Sequence, residues 1–442
     1  MAIDAAEWKA ELFAAIDRVA EPLCRFGTDI FEHPELGFRE ERTATRVADE
    51  LRALGLAVDE GLARTGVRAV VRGTAPGPTV AVIGELDALP VPGHPHADPS
   101  TGAAHACGHN AQLTHLLGVA NALVATDVRA HLCGSVVLLA VPAEEYVDLA
   151  WRAELRDRGG IEFLGGKPEI LRLGAFDDVD IALMVHASGD AGDAPLSVLW
   201  DYNGFIAKRI RFIGQPAHAG VAPHRGVNAL AAARIALAAI DAQRDTFRDD
   251  DHIRIHPIVT HGGDAVNVVP HEVRVETFVR GASLEAIHGA ALTVDRAMRA
   301  GALALGAEVE IETLPGYLPL SVDRRLGGLF RENAVALVGA AGWNEGPLCA
   351  ACTDAGDLSH IMPVLHPNHG GCAGYNHTAG FRITDPYAAY VTPAKALAAT
   401  IVDLLGEGAR GAQATLAAFA PKLTRDGYLA QMRALTRTER FA

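Results

Sequence analysis

Three short apolar runs, residues 79–84, 135–141 and 180–185, each end on side chains that bind metals or move protons: Glu85-Leu86-Asp87, Glu144-Glu145 and His186. Runs of this length without alternation read as strands buried on both faces, as in parallel sheets covered by helices. Such strands present their carboxyl ends along one edge, where open α/β folds place their ligands. Two further pieces carry ligand chemistry. Cys107-Gly108-His109 lies on the loop entering a helix expected over 112–124, and His377 stands in the glycine-marked stretch Gly374-Tyr375-Asn376-His377-Thr378.

Thiolate, imidazole and carboxylate together suit zinc or manganese, whereas calcium and magnesium sites are built almost wholly from oxygen. The pair Glu144-Glu145 adds chemistry to the ligand count. One carboxylate can bind metal while the other, unligated, takes a proton from water. Two adjacent carboxylates at the end of an apolar strand repel unless a cation compensates them, the other reading being a solvated turn. Cys-x-His alone is a weak signal; its place after Glu85-x-Asp87 and before a helix strengthens it. Asp87 suits orienting an imidazole from behind better than binding metal. Glu85 reads equally as an acid behind the ligands or as a solvated residue, and His186 alone as a core histidine. His360, His366 and His369 read as loop surface or as groups behind the ligands.

With 442 residues the chain is too long for one core of ordinary size, which predicts two domains. A net charge of -15 leaves no basic stripe for nucleic acid. The start, Met1 to Trp8, is acidic and lacks the pattern of a signal peptide, and no apolar run suggests a membrane span. A cytoplasmic protein is expected. Six scattered cysteines are not a disulfide framework, and Cys349-x-x-Cys352 has no second pair to complete a zinc site.

Helical spacing over 8–56, broken at residues 33–38, predicts two helices, followed by strands at 67–71 and 79–84. From residue 200 the order changes to strand, helix (226–243), two strands (253–260 and 272–279), helix (284–305) and strand (308–313). That order predicts a four-stranded antiparallel sheet with two helices on one face, inserted as a second domain. The boundaries are 199–314 for the insert, and 1–198 with 315–442 for the α/β domain. Within the insert, His218 on a Gly- and Pro-rich loop offers a group to polarise a carbonyl, and Asn267 and Arg280 offer an oxyanion and a carboxylate partner. Each reads by itself as a surface residue.

The runs Glu32-His33-Pro34-Glu35-Leu36-Gly37-Phe38, Glu85-Leu86-Asp87-Ala88-Leu89-Pro90, His105-Ala106-Cys107-Gly108-His109-Asn110, Pro142-Ala143-Glu144-Glu145, the His218 loop and residues 262–270 resemble metallopeptidase family twenty, in family order. That family holds aminoacylases, carboxypeptidase G, hippurate hydrolase and auxin-conjugate amidohydrolases. The resemblance covers essentially the whole chain and looks most like the branch of p-aminobenzoyl-glutamate hydrolase. It implies an α/β catalytic domain, phosphorylase/hydrolase-like, with a mostly parallel sheet flanked by helices, and an inserted ferredoxin-like α+β lid that mediates dimerisation. It implies Cys107 as a bridge between two metals, His109, Glu145, His186 and His377 as further ligands, and Glu144 as general base. It also implies His218 as an oxyanion donor to the other subunit's site, with Asn267 and Arg280 on the substrate carboxylate. Asn110 departs from the Asp of many relatives, Glu85 from the His and Cys107 from the Asp of classical peptidases, so one metal or two is left open.

The function implied is a zinc- or manganese-dependent amidohydrolase acting on N-acyl or N-aroyl amino acids, or dipeptide-like amides, with a free carboxylate. The alternative is an aminohydrolase that releases ammonia from a nitroaminobenzoate, and a third is a non-catalytic metal-binding protein, against which Glu144 argues. The partners expected are a small carboxylate substrate and a second copy of the chain, with no nucleic acid and no membrane.

Overall fold

The computed structural model describes residues 5–189 and 194–442, in two compact units. The first holds residues 1–200, 321–347 and 357–422, and the second holds 201–320, 348–356 and 423–442.

The first unit is built on a six-stranded sheet in the order Val58–Leu62, Gly66–Arg72, Cys133–Val141, Ala75–Glu85, Ile181–Leu183, Val364–Leu365. The last four are mutually parallel, and the first two form an antiparallel hairpin at one side. The central strands are buried along their apolar stretches, which is why they read as unbroken apolar runs. Helix His109–Ala125 packs on strand Ala75–Glu85 and is almost wholly buried, between that strand and helices Ala20–Glu32 and Thr392–Leu405. The N-terminal stretch folds as three helices where two were expected, because the first run breaks at Val19 into Ala5–Arg18 and Ala20–Glu32, and Glu41–Ala53 follows the turn.

The stretch Tyr387–Leu405 corrects the membrane reading of the sequence. It is long and apolar enough by composition to span a bilayer, yet most of it is buried inside this unit as a core helix.

The second unit carries an antiparallel sheet in the order Arg254–Ile255, Glu272–Gly281, Gly204–Ile213, Glu308–Pro315, Arg437–Phe441, with Ile258–His261 also pairing Glu272–Gly281. Strand Glu272–Gly281 alternates buried and more open positions, so one face meets helices Ala229–Gln243 and Leu284–Leu305. The two helices cross closely at Gly301, where a Cβ would lie 2.5 Å from the Ala232 carbonyl oxygen. The order follows the expected one with three differences: residues 253–260 form two short strands, the sheet holds six strands rather than four, and residues 315–320, 348–356 and 423–442 belong to this unit, not to the α/β domain to which the sequence assigned them. Arg437–Phe441 joins it by pairing with Glu308–Pro315. That strand, Arg-Thr-Glu-Arg-Phe, is exposed along most of its length and so shows no apolar periodicity.

Candidate metal centre

Strands Ala75–Glu85 and Cys133–Val141 run parallel with Glu85 opposite Val141, so Glu85–Asp87 and Pro142–Glu145 leave the sheet side by side. The Leu86 amide still donates to the Val141 carbonyl at 2.9 Å after the strands end. Gly108, at φ 81°, turns the chain into helix His109–Ala125. A side chain there is excluded, since a Cβ would meet the Ala187 Cβ at 2.4 Å. The short strand His186–Ala187 pairs in parallel with Pro367–His369, which brings the segment before His377 to the same edge. Asn376 closes it by donating to the Ala187 carbonyl at 3.1 Å and accepting from the Gly189 amide at 3.0 Å.

The five residues expected as ligands come together. Cys107 Sγ lies 3.4 Å from His186 Nε2 and 3.3 Å from His377 Nε2, and His377 Nε2 lies 2.9 Å from Glu145 Oε1. Two groups of three donors, Cys107-His109-His186 and Cys107-Glu145-His377, each fall within 4.8 Å and share the sulfur. A third, Glu85-His109-Glu144, meets the same distance. Its Glu85 is already engaged: Lys167 Nζ approaches Oε1 at 2.5 Å and Gln112 Nε2 donates to Oε2 at 2.8 Å, with all three side chains buried.

His109 is held from behind by Asp87. The nearer contact comes from the Asp87 carbonyl oxygen, 2.8 Å from Nδ1, with carboxylate Oδ1 at 3.3 Å. The other carboxylate oxygen, Oδ2, accepts from the Glu145 amide at 2.9 Å, so Asp87 ties one ligand ring to the backbone of another ligand. With Nδ1 engaged, Nε2 faces the cluster.

The electrostatics fit a cation. Burial and the Glu145 charge both push the Cys107 thiol up, yet the His186, His377 and His109 rings outweigh them and hold it well below the ordinary range. Burial raises Glu145, but His377 and His109 bring it down to about 2. Burial lowers His109, but Glu85, Cys107 and Asp87 raise it, and burial of His186 is likewise outweighed by Cys107 and Glu85. Protonated rings thus balance thiolate and carboxylate where a metal would balance them and displace the protons. His109 Nε2 and Glu145 Oε1 are buried without an aligned hydrogen bond, although charged partners stand at 3.1 and 2.9 Å. Donors this close without aligned hydrogen bonds to one another keep lone pairs that a shared cation could satisfy. The mixed sulfur, nitrogen and oxygen set fits a divalent metal of the zinc or manganese type.

Where the sequence left two readings open, burial decides between them: Glu85 is fully buried rather than solvated, and His360, His366 and His369 are buried rather than on the loop surface. His366 stacks on His186 at 5.7 Å, and burial, then the His186 charge, takes it down to about 3. Lys167, Gln112 and Asn376 went unnoticed in the sequence. Lys167 follows Gly165-Gly166 in a stretch with no ligand chemistry, and only the fold shows its charge to be buried.

His218, Asn267 and Arg280 lie in the second unit. The His218 and Asn267 loops are joined, with His218 bridged to Val268 and the Ala219 amide donating to the Asn267 carbonyl at 2.9 Å. His218 is exposed, and its Nδ1 accepts from the amides of Gly220 and Val221, each at 3.2 Å, so a neutral ring carries its proton on Nε2. Asn267 is exposed. Arg280, on strand Glu272–Gly281, stacks over Phe278 at 5.1 Å.

An α/β unit with overlapping donor groups at its strand ends, carrying a ferredoxin-like insert, defines a metal-dependent hydrolase of the amidohydrolase and peptidase class. The chain belongs to metallopeptidase family twenty. Residues 203–302 match the family's peptidase dimerisation domain. The chain is 30% identical to the Xaa-Arg dipeptidase of Mus musculus, over 88% of this chain and 87% of that one. It is 28% identical to the N-acyl-L-amino acid amidohydrolase of Geobacillus stearothermophilus, over 77% and 88%. Its fold is similar to that of a Bacillus subtilis dinuclear metal binding peptidase, with TM-score 0.62 and 22% identity over 88% of this chain and 99% of that one. It is also similar to the aminobenzoyl-glutamate utilization protein of Klebsiella pneumoniae, with TM-score 0.65 and 20% identity over 89% and 98%.

Proposed function

We propose that the protein hydrolyses the amide bond of N-acyl or N-aroyl amino acids, or of dipeptide-like substrates with a free carboxylate, using zinc or manganese. The observation that carries this reading is that Glu144 stands beside the two donor groups sharing Cys107 but in neither. It is nearly buried, with Oε2 3.9 Å from His109 Nε2. Cys107, His109, His186, Glu145 and His377 would hold the metal, in two donor sets that have the Cys107 sulfur in common; the dinuclear metal binding named for the Bacillus protein supports a count of two. A divalent metal, when bound, supplies Lewis acidity toward water and toward the scissile carbonyl.

The remaining steps belong to side chains. Glu144 takes a proton from the attacking water and returns it to the leaving amine. His218, with its proton on Nε2, would donate to the oxyanion in the other subunit's site, and Asn267 and the forked guanidinium of Arg280 would hold the substrate carboxylate. Asp87 fixes the ring of His109. The match to a dimerisation domain supports a homodimer, and the sparse, scattered cysteines of the sequence suit the reducing, cytoplasmic setting included in this proposal.

The test is a panel of N-benzoyl and N-acetyl amino acids, dipeptides and aminobenzoates, read for both free amino acid and ammonia, with wild type beside Glu144→Gln. Amino acid release by wild type, lost in the variant at unchanged metal content, is the expected result. Ammonia from an aminobenzoate without amide cleavage would replace this reading with ring deamination, and an active Glu144→Gln would remove the mechanism.

A further inference from the structure

The run Glu32 to Phe38 carries part of the family resemblance yet contributes no metal donor. Two residues beyond it, Glu40 is fully buried. One carboxylate oxygen accepts from the Ala143 amide at 2.8 Å and the other from the Thr65 hydroxyl at 2.7 Å. Ala143 immediately precedes Glu144 and has φ 52°, in the left-handed region that disfavours any residue with a Cβ. On the far side of Glu144, the Glu145 amide donates to Asp87 Oδ2 at 2.9 Å. Two carboxylates from different segments therefore grip the backbone on either side of Glu144.

The remaining contacts close the same turn. The Ala143 carbonyl accepts from the Gly166 amide at 3.0 Å. A Cβ on Gly166 would fall 1.6 Å from the Pro142 carbonyl oxygen, and one on Gly37 would fall 2.9 Å from Ala143 Cα. The turn is packed from two sides, and among the described residues only Glu40 is seen to accept from the amide of the residue held at positive φ. A backbone in a disfavoured well persists only where its surroundings over-determine it.

We propose that Glu40 is a positioning residue for Glu144: by holding the Ala143 amide it keeps the left-handed turn that aims the Glu144 carboxylate. This rests on the reading of Glu144 as the proton-transfer group. Glu40→Ala removes the acceptor and lets Ala143 relax, whereas Glu40→Gln keeps an oxygen for the Ala143 amide. Ala143→Gly makes the left-handed well accessible without a hold.

The experiment measures kcat, KM and metal content on N-benzoyl and N-acetyl amino acids for Glu40→Ala, Glu40→Gln, Glu40→Ala with Ala143→Gly, and Glu144→Gln. Glu40→Ala is expected to lower kcat by about tenfold or more, since small misplacements of a reacting group carry losses of that order, with KM and metal content little changed. Glu40→Gln and the double variant are each expected to recover much of that loss. Should Glu40→Ala fail to fold, Glu40→Asp, which keeps the charge but shortens the reach, is expected to show the same fall in kcat. Wild-type kcat in Glu40→Ala or Glu40→Asp, beside an inactive Glu144→Gln, overturns this inference and leaves the role of Glu144 standing. Loss of metal together with kcat, unrescued by Ala143→Gly, overturns it in favour of a purely structural role. An active Glu144→Gln removes the proton-transfer reading and this inference with it.

Discussion

Lys167 Nζ lies 2.5 Å from Glu85 Oε1, and both side chains are excluded from solvent, one contact away from the His109 ring. The pair neutralises a carboxylate that would otherwise add negative charge beside the metal donors. A buried pair contributes modestly as a pair, but losing one partner leaves a buried charge uncompensated.

Lys167→Met is therefore expected to destabilise the protein by about 3–5 kcal/mol. Adding Glu85→Gln to that variant removes the stranded charge and should restore part of the loss. Denaturant midpoints at constant m-value check this, and a single variant as stable as wild type would contradict the pairing.

Glu40 provides a pH signature. Burial, then the nearby Asp87 charge, raises its pKa from the ordinary 4.5 to about 7. A raised carboxylate pKa gives a contribution to stability that is fully present below about 4.5 and lost as pH rises through about 7. Its size is on the order of 3 kcal/mol. Glu40→Gln should flatten the stability profile between those pH values, as read by thermal or denaturant unfolding across the range.

Asn110 is fully buried, and its side chain acts as a donor. Nδ2 bonds the Gly27 carbonyl at 3.0 Å and the Tyr390 hydroxyl at 2.9 Å, all within the helical layer. Asn110→Asp loses that donor and places a carboxylate against a carbonyl, with an expected cost of about 1–3 kcal/mol. An unchanged unfolding midpoint would show that the hydroxyl alone satisfies the site.

Gly108→Ala joins φ 81° to a 2.4 Å clash with the Ala187 Cβ. The loop carrying Cys107 and His109 must move to relieve it. Metal content and hydrolysis should fall together in this variant, measured by elemental analysis and by amino acid release.

Much of the site was legible because its residues stand at strand ends and next to glycines. Glu144-Glu145, Glu85-x-Asp87 and His186 each follow an apolar run, so strand exit and ligand chemistry coincide along the chain. What supports those residues was not legible. Nothing in the sequence marks Glu40 or Lys167, and only the fold decides that His366 stands behind the ligands, because burial of a polar group depends on distant packing. The same limit explains the C-terminal strand, whose charged residues suit an exposed edge and show none of the alternation that marked Glu272–Gly281. The inserted sheet could be read because its strands bury one face and its helices carry one apolar side.

The most direct test compares metal per chain and amide hydrolysis in wild type and Cys107→Ala. The shared sulfur predicts about two divalent metals per wild-type chain, and loss of most bound metal together with activity when Cys107 is removed. A Cys107→Ala protein that keeps the wild-type metal content and turnover, or a wild type that binds no metal, would contradict the account.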